Sequence, residues 1–343
     1  MEIPVNKRII AAALLVALAP AAWAEPVTIK LGTLAPAGSA WHDALREMAQ
    51  RWEQASAGQV KLRIYPGGTQ GSEGDMLRKL AIGQLQAAAI TNVGVHDVVT
   101  DPQTFSVPLL FSDEAEMECA FVRVKAKLEA AFQARGLVVL QWSRIGSAAF
   151  FCNKPLRTPA EMASAKIFAW EGDPATVKAW RVAGFNPVVL SSTDIVPALG
   201  TGMIDCVSNV PLYMLTTRAF ERARYLIDLP WGFVLATTIV KRDAWERVPA
   251  EVRPGLLAIA TEVGAKIDME VKRLNAEAVQ AMKRQGLTTV AVDPEAWRPT
   301  LERSWAVLRG EVVPAAFFDE VKAARDGCRA RPGARRSAPP SPL

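Results

Sequence analysis

The chain has 343 residues, 50% hydrophobic and 22% charged, enough apolar material for two cores and too much for a disordered or low-complexity protein. Its net charge of +5 is unevenly held: residues 1–24 contribute +1, and the end from Gly327 contributes +4 through Arg329, Arg331, Arg335 and Arg336. The body from 25 to 326 is therefore neutral, so the pI near 9.1 is no argument for a nucleic-acid surface, and nucleic acid is not expected as a partner.

At the N-terminus, Lys7-Arg8 precede an apolar run from Ile9 to Leu18, Pro20 breaks it, and Ala22-Trp23-Ala24 is a small-x-small cleavage site. Residues 1–24 thus read as an export signal, with a periplasmic chain beginning at Glu25. The run is too short for the roughly 20 residues that a membrane-spanning helix needs, and no later stretch of that length is free of charge. No cysteine follows the signal, so a lipid attachment is not expected. Cys119, Cys152, Cys206 and Cys328 lie far apart, in a compartment that permits disulfides. Cys152 and Cys206 fall in strand-like segments and either bridge or remain two buried thiols.

The first segment, Val27 to Gly32, alternates as a strand does and runs into a Pro-Ala-Gly-Ser turn. Ser39 is a natural N-cap for a helix whose Trp41, Leu45, Met48 and Trp52 share one face. A strand from Val60 to Tyr65, a glycine-rich turn, a helix capped by Ser72 and a strand from Ala87 to Thr91 complete a βαβαβ unit. Such a unit builds a largely parallel sheet with binding groups at the strands' carboxyl ends. A helix from about Ser112 to Ala134 leads into Leu137–Asn153, long for a strand and interrupted near Arg144-Ile145-Gly146-Ser147, which reads as a crossing into a second lobe.

The rhythm restarts there with a strand from Lys166 to Trp170, a helix opened by Asp173-Pro174, a strand from Asn186 to Leu190, a short helix from about Thr193, and a strand from Met203 to Ser208. Tyr225 to Val240 reads as a return strand. Pro249 to Gln285 is a helical pattern longer than one lobe usually holds, as a helix leaning across both lobes would be. The last 17 residues, with four prolines and four arginines, are expected to be disordered and solvated.

Little in the chain points to catalysis. The two histidines, His42 and His96, stand in no zinc-binding spacing, and His42 reads as a solvated or capping group. There is no GxSxG elbow and no lysine-bearing phosphate loop. Gly67–Gly74 follows a strand and opens a helix as an anion cradle would, but plain turn chemistry is the better reading. Asp173, Asp194 and Asp205 look like caps or strand ends, so no enzymatic activity, metal or cofactor is expected. Aromatic residues are the louder signal: Trp41, Trp142, Phe168, Trp170 and Trp231 sit at predicted element ends, where loops would converge on a cleft.

Leu31-Gly32-Thr33-Leu34-Ala35-Pro36-Ala37-Gly38-Ser39, then Tyr65-Pro66-Gly67-Gly68 with Gly71-Ser72-Glu73 and Ile82-Gly83-Gln84-Leu85-Gln86, resembles the solute-binding proteins of tripartite ATP-independent periplasmic (TRAP) transporters. Asn153-Lys154-Pro155-Leu156-Arg157-Thr158-Pro159 and Ala198-Leu199-Gly200-Thr201-Gly202-Met203-Ile204-Asp205 extend the likeness, which covers roughly Val27 to Ala323. The resemblance implies an α/β, two-lobed binding protein, each lobe a mixed sheet flanked by helices, joined by hinge strands and a long helix. It would close on a small solute and deliver it to membrane permease subunits without chemistry. The expected lobes are 25–147 with about 236–275, and 148–235 with about 276–326, followed by the basic tail at 327–343.

One departure bears on the ligand. In dicarboxylate-type members an arginine follows the Lys-Ile pair and clamps a carboxylate; here that position is Phe168. A second arginine, expected before the Asn-x-x-Pro turn, is replaced by Gly146-Ser147-Ala148-Ala149-Phe150. Phe168 with Trp170, Glu171-Gly172-Asp173-Pro174 and Asp228-Leu229-Pro230-Trp231 resemble a branch with an apolar pocket, whose members can work with a tetratricopeptide-repeat periplasmic partner. The expected ligand is hydrophobic or amphipathic, held by Trp41, Phe168, Trp170 and Trp231, with Thr91, Asn92 and Asn209 orienting it by hydrogen bonds. Arg144 either meets an anion or forms a salt bridge. The alternatives are an organic-acid receptor with a replacement cation and a sensor-type binding protein.

Overall fold

The structure is a computed structural model that describes residues 25–171 and 174–330. The expected export signal, Gly172 and Asp173 of the predicted cap, and 331–343 lie outside the described residues. In chain order the elements are β1 (Val27–Thr33), α1 (Ala40–Ala55), β2 (Val60–Tyr65), α2 (Glu73–Ala81), β3 (Ala87–Thr91), a 3-10 turn (Asp101–Ser106), α3 (Glu114–Ala134) and the long β4 (Leu137–Cys152). Then follow α4 (Pro159–Ala163), β5 (Lys166–Trp170), α5 (Pro174–Val182), β6 (Asn186–Leu190), α6 (Ile195–Thr201), β7 (Cys206–Asn209), α7 (Pro211–Thr216) and the long β8 (Tyr225–Lys241). The chain closes with α8 (Arg242–Glu246), α9 (Arg253–Arg284), β9 (Thr288–Ala291), α10 (Pro294–Val307) and α11 (Ala315–Arg329).

Local sequence accounts for the helix starts. Ser39 Oγ accepts the His42 N–H (3.3 Å), and His42 Nδ1 accepts the Gly38 N–H (3.0 Å), so this histidine caps α1. At α2, Ser72 Oγ accepts the Asp75 N–H (3.2 Å) and Asp75 Oδ2 accepts the Ser72 N–H (2.8 Å). The helix start after the glycine run is thus occupied by the chain's own carboxylate, which leaves the run as turn chemistry. Gly71 is obligatory there: φ is 92°, and a Cβ would lie 2.5 Å from Asp75 Oδ2.

The strands form one sheet in the order β2-β1-β3-β8-β4-β7-β5-β6, with β9 beside β8. β4 and β8 are its spine. They pair antiparallel from Leu137↔Lys241 to Cys152↔Tyr225, with register shifts at Val139/Gln141, Arg144/Gly146 and Ala148/Phe150. Sixteen residues of strand extend for roughly 50 Å, beyond the usual span of one lobe's sheet. At one end β8 pairs with β3, and through it with β1 and β2; at the other β4 pairs with β7, and β8 with β9. The predicted crossing strand and return strand are therefore one ladder shared by both halves.

Each half has its own apolar core. Ile29, Leu31, Met48, Trp52 and Val240 are buried together in the first, while Phe151, Phe168, Val207 and Leu226 anchor the second. The 32-residue α9, about 48 Å long, packs on α1 and β4 and on α7, so it leans on both halves as its length predicts. Its Asn275 ties the crossing together: Nδ2 donates to Ile145 O (2.9 Å), and Oδ1 accepts the Leu212 N–H (2.9 Å).

Two expectations are revised at the C-terminal end. The tail does not begin at Gly327, because Gly327, Cys328 and Arg329 belong to α11. α11 lies against α3 in the first half, and Cys328 is bonded to Cys119 across that contact. Cys152 and Cys206 face each other in the β4–β7 register and form the second disulfide, which settles the alternative left open by their spacing. Cross-links of this kind stabilise chiefly by restricting the unfolded chain. Urea unfolding with and without a reductant should show each bridge contributing about 2–4 kcal/mol, with Cys119→Ser and Cys206→Ser each giving part of the loss; equal midpoints in all four measurements would contradict the pairing.

Candidate functional site

A cavity of about 240 Å³ lies between the two halves, where the carboxyl ends of β1, β3, β5 and β7 converge. Strand ends supply Thr33, Thr91, Phe168, Trp170 and Asn209; Trp41 comes from the first turn of α1, and Ile267 from the middle of α9. The halves meet at its lip, where a Cβ on Gly68 would lie 3.2 Å from Thr193 Cγ2. No group of His, Cys, Asp or Glu among the described residues has the arrangement of a metal site.

Six of the eight predicted ligand contacts line this cavity: Trp41, Thr91, Phe168, Trp170, Asn209 and Trp231. Phe168 and Trp170 stand side by side on β5 with ring centroids 5.5 Å apart. They do so because two residues separated by one share a sheet face. Trp231 packs edge-on to Phe150 (4.6 Å) and tilts over Trp180 (5.5 Å), forming an aromatic floor. Asn209 Oδ1 accepts the Val210 N–H (2.8 Å).

The other two predicted contacts are absent from the lining. Asn92 is fully buried and holds structure: Nδ2 donates to Pro102 O (3.1 Å), Ser106 Oγ (2.9 Å) and Phe233 O (3.3 Å), and Oδ1 accepts the Leu235 N–H (3.1 Å). It rivets β3 and the Asp101–Ser106 turn to β8. Arg144 turns towards α3 and α9, pairing with Glu118 and with Asp268, whose Oδ2 lies 3.0 Å from Nη2 and 3.0 Å from Nε. Asp268 Oδ1 also accepts the Arg144 backbone N–H (2.6 Å). An arginine so engaged is a brace at the crossing; of the two readings of this residue, the salt bridge is the one the geometry supports.

Glu73 is the site residue that sequence reasoning missed. It opens α2, is 2% exposed, and is the one carboxylate among the described lining residues, none of which is Lys, Arg or His. The Thr91 N–H donates to Oε1 (2.7 Å) and the Thr91 hydroxyl to Oε2 (2.8 Å). Burial pushes its carboxyl up to about 7, against the pull of these bonds and of His96. Gly94 makes room for it, since a Cβ there would lie 1.9 Å from Oε2. Tyr213, also on the lining, is pushed up to about 12 by burial and then by the charge of Glu73. The Gly-Ser-Glu motif marked the position, but nothing in it tells a buried acid from a first-turn helix charge. Among the described residues, three buried polar atoms on the lining lack a protein partner: Trp41 Nε1, Gln141 Oε1 and Ser192 Oγ.

Known proteins share this architecture. The family described as "DctP: Bacterial extracellular solute-binding protein, family 7" matches residues 31–310. The C4-dicarboxylate-binding periplasmic protein DctP of Rhodobacter capsulatus is 26% identical over 298 residues, covering 85% of this chain and 89% of that protein. Among solved structures, a TRAP periplasmic solute binding protein from Pseudomonas putida F1 with bound D-glucuronate superposes with a TM-score of 0.80 at 23% identity, covering 89% of this chain and 98% of that one. Another from Ralstonia eutropha H16, with bound (S)-2-acetolactate, gives 0.82 at 18% identity over 88% and 99%.

The buried acid gives a signed dependence on pH. Its folded value near 7 lies above the ordinary 4.5, so its stabilising contribution is complete below pH 4.5 and is lost as pH rises to about 7. Asp268, pushed up to about 6 by burial against the pull of Arg144, adds a loss of the same sign between its ordinary 3.8 and 6. Thermal unfolding from pH 4.5 to 8 should show Glu73→Gln removing a decline of about 3 kcal/mol at most over the whole range, about half of it above pH 6. Identical pH profiles for the two proteins would place the Glu73 carboxyl in water.

Proposed function

The chain belongs to the DctP family of bacterial extracellular solute-binding proteins, and on that premise we propose that it is the solute receptor of a TRAP-type secondary transporter. It takes a small molecule into the cavity between its halves and passes it, unaltered, to membrane permease subunits. In this reading the lobes are 25–147 with about 236–275, and 148–235 with the chain from about 276 through α10; α11 rides on the first. β4, β8 and α9 are the hinge segments, and ligand closes the lobes by bending them. A periplasmic location rests on residues 1–24 and on the family. The tetratricopeptide-repeat partner rests on the resemblance of the Phe168–Trp170 region alone.

Two ligand classes compete. The ligands named for the relatives, a C4-dicarboxylate, D-glucuronate and acetolactate, fit the organic-acid alternative better than an apolar molecule. This chain's own cavity favours an uncharged or amphipathic ligand, and the observation that carries this reading is Phe168, on the lining where the resemblance expects the clamping arginine. A carboxylate there would lose several kcal/mol of hydration with no cation among the described lining residues, and would share the site with Glu73. The replacement cation that the acid reading requires is not Arg144, which is held by Glu118 and Asp268.

The deciding experiment is to purify the exported protein from a native-like host, denature it and identify the released small molecule by mass spectrometry. An apolar or amphipathic molecule near one to one supports the reading from the lining; a uronate or dicarboxylate establishes the organic-acid alternative. Phe168→Arg should then weaken an apolar ligand at least about tenfold in titration calorimetry, the cost of placing a guanidinium against it. An unchanged affinity removes Phe168 from the contact.

A further inference from the structure

The cavity is continuous but its two ends differ in chemistry. At the end bounded by α1, α2 and β7 stand the polar groups: Glu73, Asn209, and the partnerless Trp41 Nε1 and Ser192 Oγ. It then runs past Trp231 into an arm between α5, α10 and the segment Leu308–Val313 that follows α10. Ala179, Ala183, Leu301, Leu308, Val312 and Val107 form its walls, none more than 8% exposed.

The hydroxyl and amide side chains in the arm are already engaged. The Ser304 hydroxyl donates to Leu301 O, the Ser106 hydroxyl donates to Phe233 O (3.1 Å) and accepts from Asn92 Nδ2 (2.9 Å), and Gln103 and Thr176 have partners of their own. An arm walled by aliphatic side chains, whose hydroxyl and amide groups are held by protein, offers water little and hydrocarbon a great deal. Its shape follows from sequence: Ala179 on α5 and Ala183, the residue after its end whose N–H donates to Ala179 O (3.0 Å), put two small side chains on one face and leave room beside it. The far end closes because the chain leaves helical geometry at Arg309 and Gly310, where Gly310 has φ 109°, folding Val312 and Val313 back over the opening.

We propose that this arm is a tail subsite, and that the ligand is an elongated amphipath whose polar head lies at Glu73, Trp41, Ser192 and Asn209 and whose unbranched hydrocarbon tail lies along Ala179 and Ala183. The proposal rests on the solute-receptor reading and specifies its ligand class. The head must be uncharged or hydrogen-bond donating, since the carboxyl group it meets is Glu73. The tail is read by length, because Leu308 and Val312 end the arm.

The test is titration calorimetry of the purified full chain, stripped of bound apolar molecules on a hydrophobic resin, with 1-alkanols of six to fourteen carbons and with D-glucuronate as a short acidic probe. Wild-type affinity for the alkanols should rise about fourfold per methylene and then level off. Ala183→Leu, which fills the arm, should bring the plateau at least two carbons earlier. Val312→Ala, which lengthens it, should move the plateau later, so the two variants act in opposite directions and a loss of folding cannot imitate both. Affinity independent of chain length, or one plateau for all three proteins, overturns the tail subsite. D-glucuronate binding without any response to alkanols overturns it too while leaving the receptor reading intact. If neither series binds, the subsite is refuted, and the receptor reading then depends on the molecule released from the native protein.

Discussion

The antiparallel ladder of β4 and β8 is the constraint on which the rest depends. It is the one pairing that runs through both halves, and every other strand reaches its half through it. Because the ladder is continuous, the carboxyl ends of β1 and β3 on one side and of β5 and β7 on the other are brought to a single cleft. The ladder is also where the backbone is irregular. Its register shifts cluster from Val139 to Phe150, where Gly146 has φ 128° and a Cβ would lie 2.7 Å from Asn275 Nδ2. Gly232, on the facing strand, has no room for a Cβ either, since one would lie 2.6 Å from Ser106 O. Two close approaches of backbone and side chain thus bracket the crossing, and braces from α9, Asn275 and Asp268, hold it from one face.

Much of this was legible because period and length are local properties of a sequence. The alternation of Val27–Gly32, the spacing of Trp41, Leu45, Met48 and Trp52, and the excess length of Leu137–Asn153 and Pro249–Gln285 each translate directly into an element and its face. What failed depends on partners far away in sequence. Asn92 and Thr91 are adjacent at the end of one strand, yet one faces the cavity and the other points into the β8 joint, because successive strand side chains alternate in direction. Arg144 leaves a ligand contact and a salt bridge both open until Glu118 on α3 and Asp268 on α9 are brought beside it. Glu73 reads as a first-turn charge until β3 and Gly94 enclose it. Gly327 to Arg329 read as the start of a polar tail because what holds them in α11, Cys119 and Glu116 of α3, lies 209 and 213 residues away in sequence.

The cavity sets two kinds of inheritance against each other. The scaffold, shared with proteins bound to uronates, places a cavity between the halves. The side chains that decide charge lie on the ends of β5 and at the start of α2, and those positions can change without disturbing the ladder. Glu73 illustrates the coupling: its carboxyl ties α2 to β3 through Thr91 while facing the ligand space, so one group both fixes the fold locally and sets the electrostatics of the cleft.

The Cys119–Cys328 bond has a topological consequence. β4, β8, α9 and the Leu308–Val313 segment all lie between the two cysteines, so each described segment that passes between the halves belongs to one closed covalent ring. A ring cut once is still a single piece. A protease that nicks one crossing segment therefore opens the loop without releasing a fragment, and the two halves stay tethered at the α3–α11 staple until a second cut or a reductant arrives. In an extracytoplasmic compartment, where damaged chains cannot be resynthesised in place, such a receptor keeps both walls of its cleft attached to each other after a break that would divide an uncrosslinked chain.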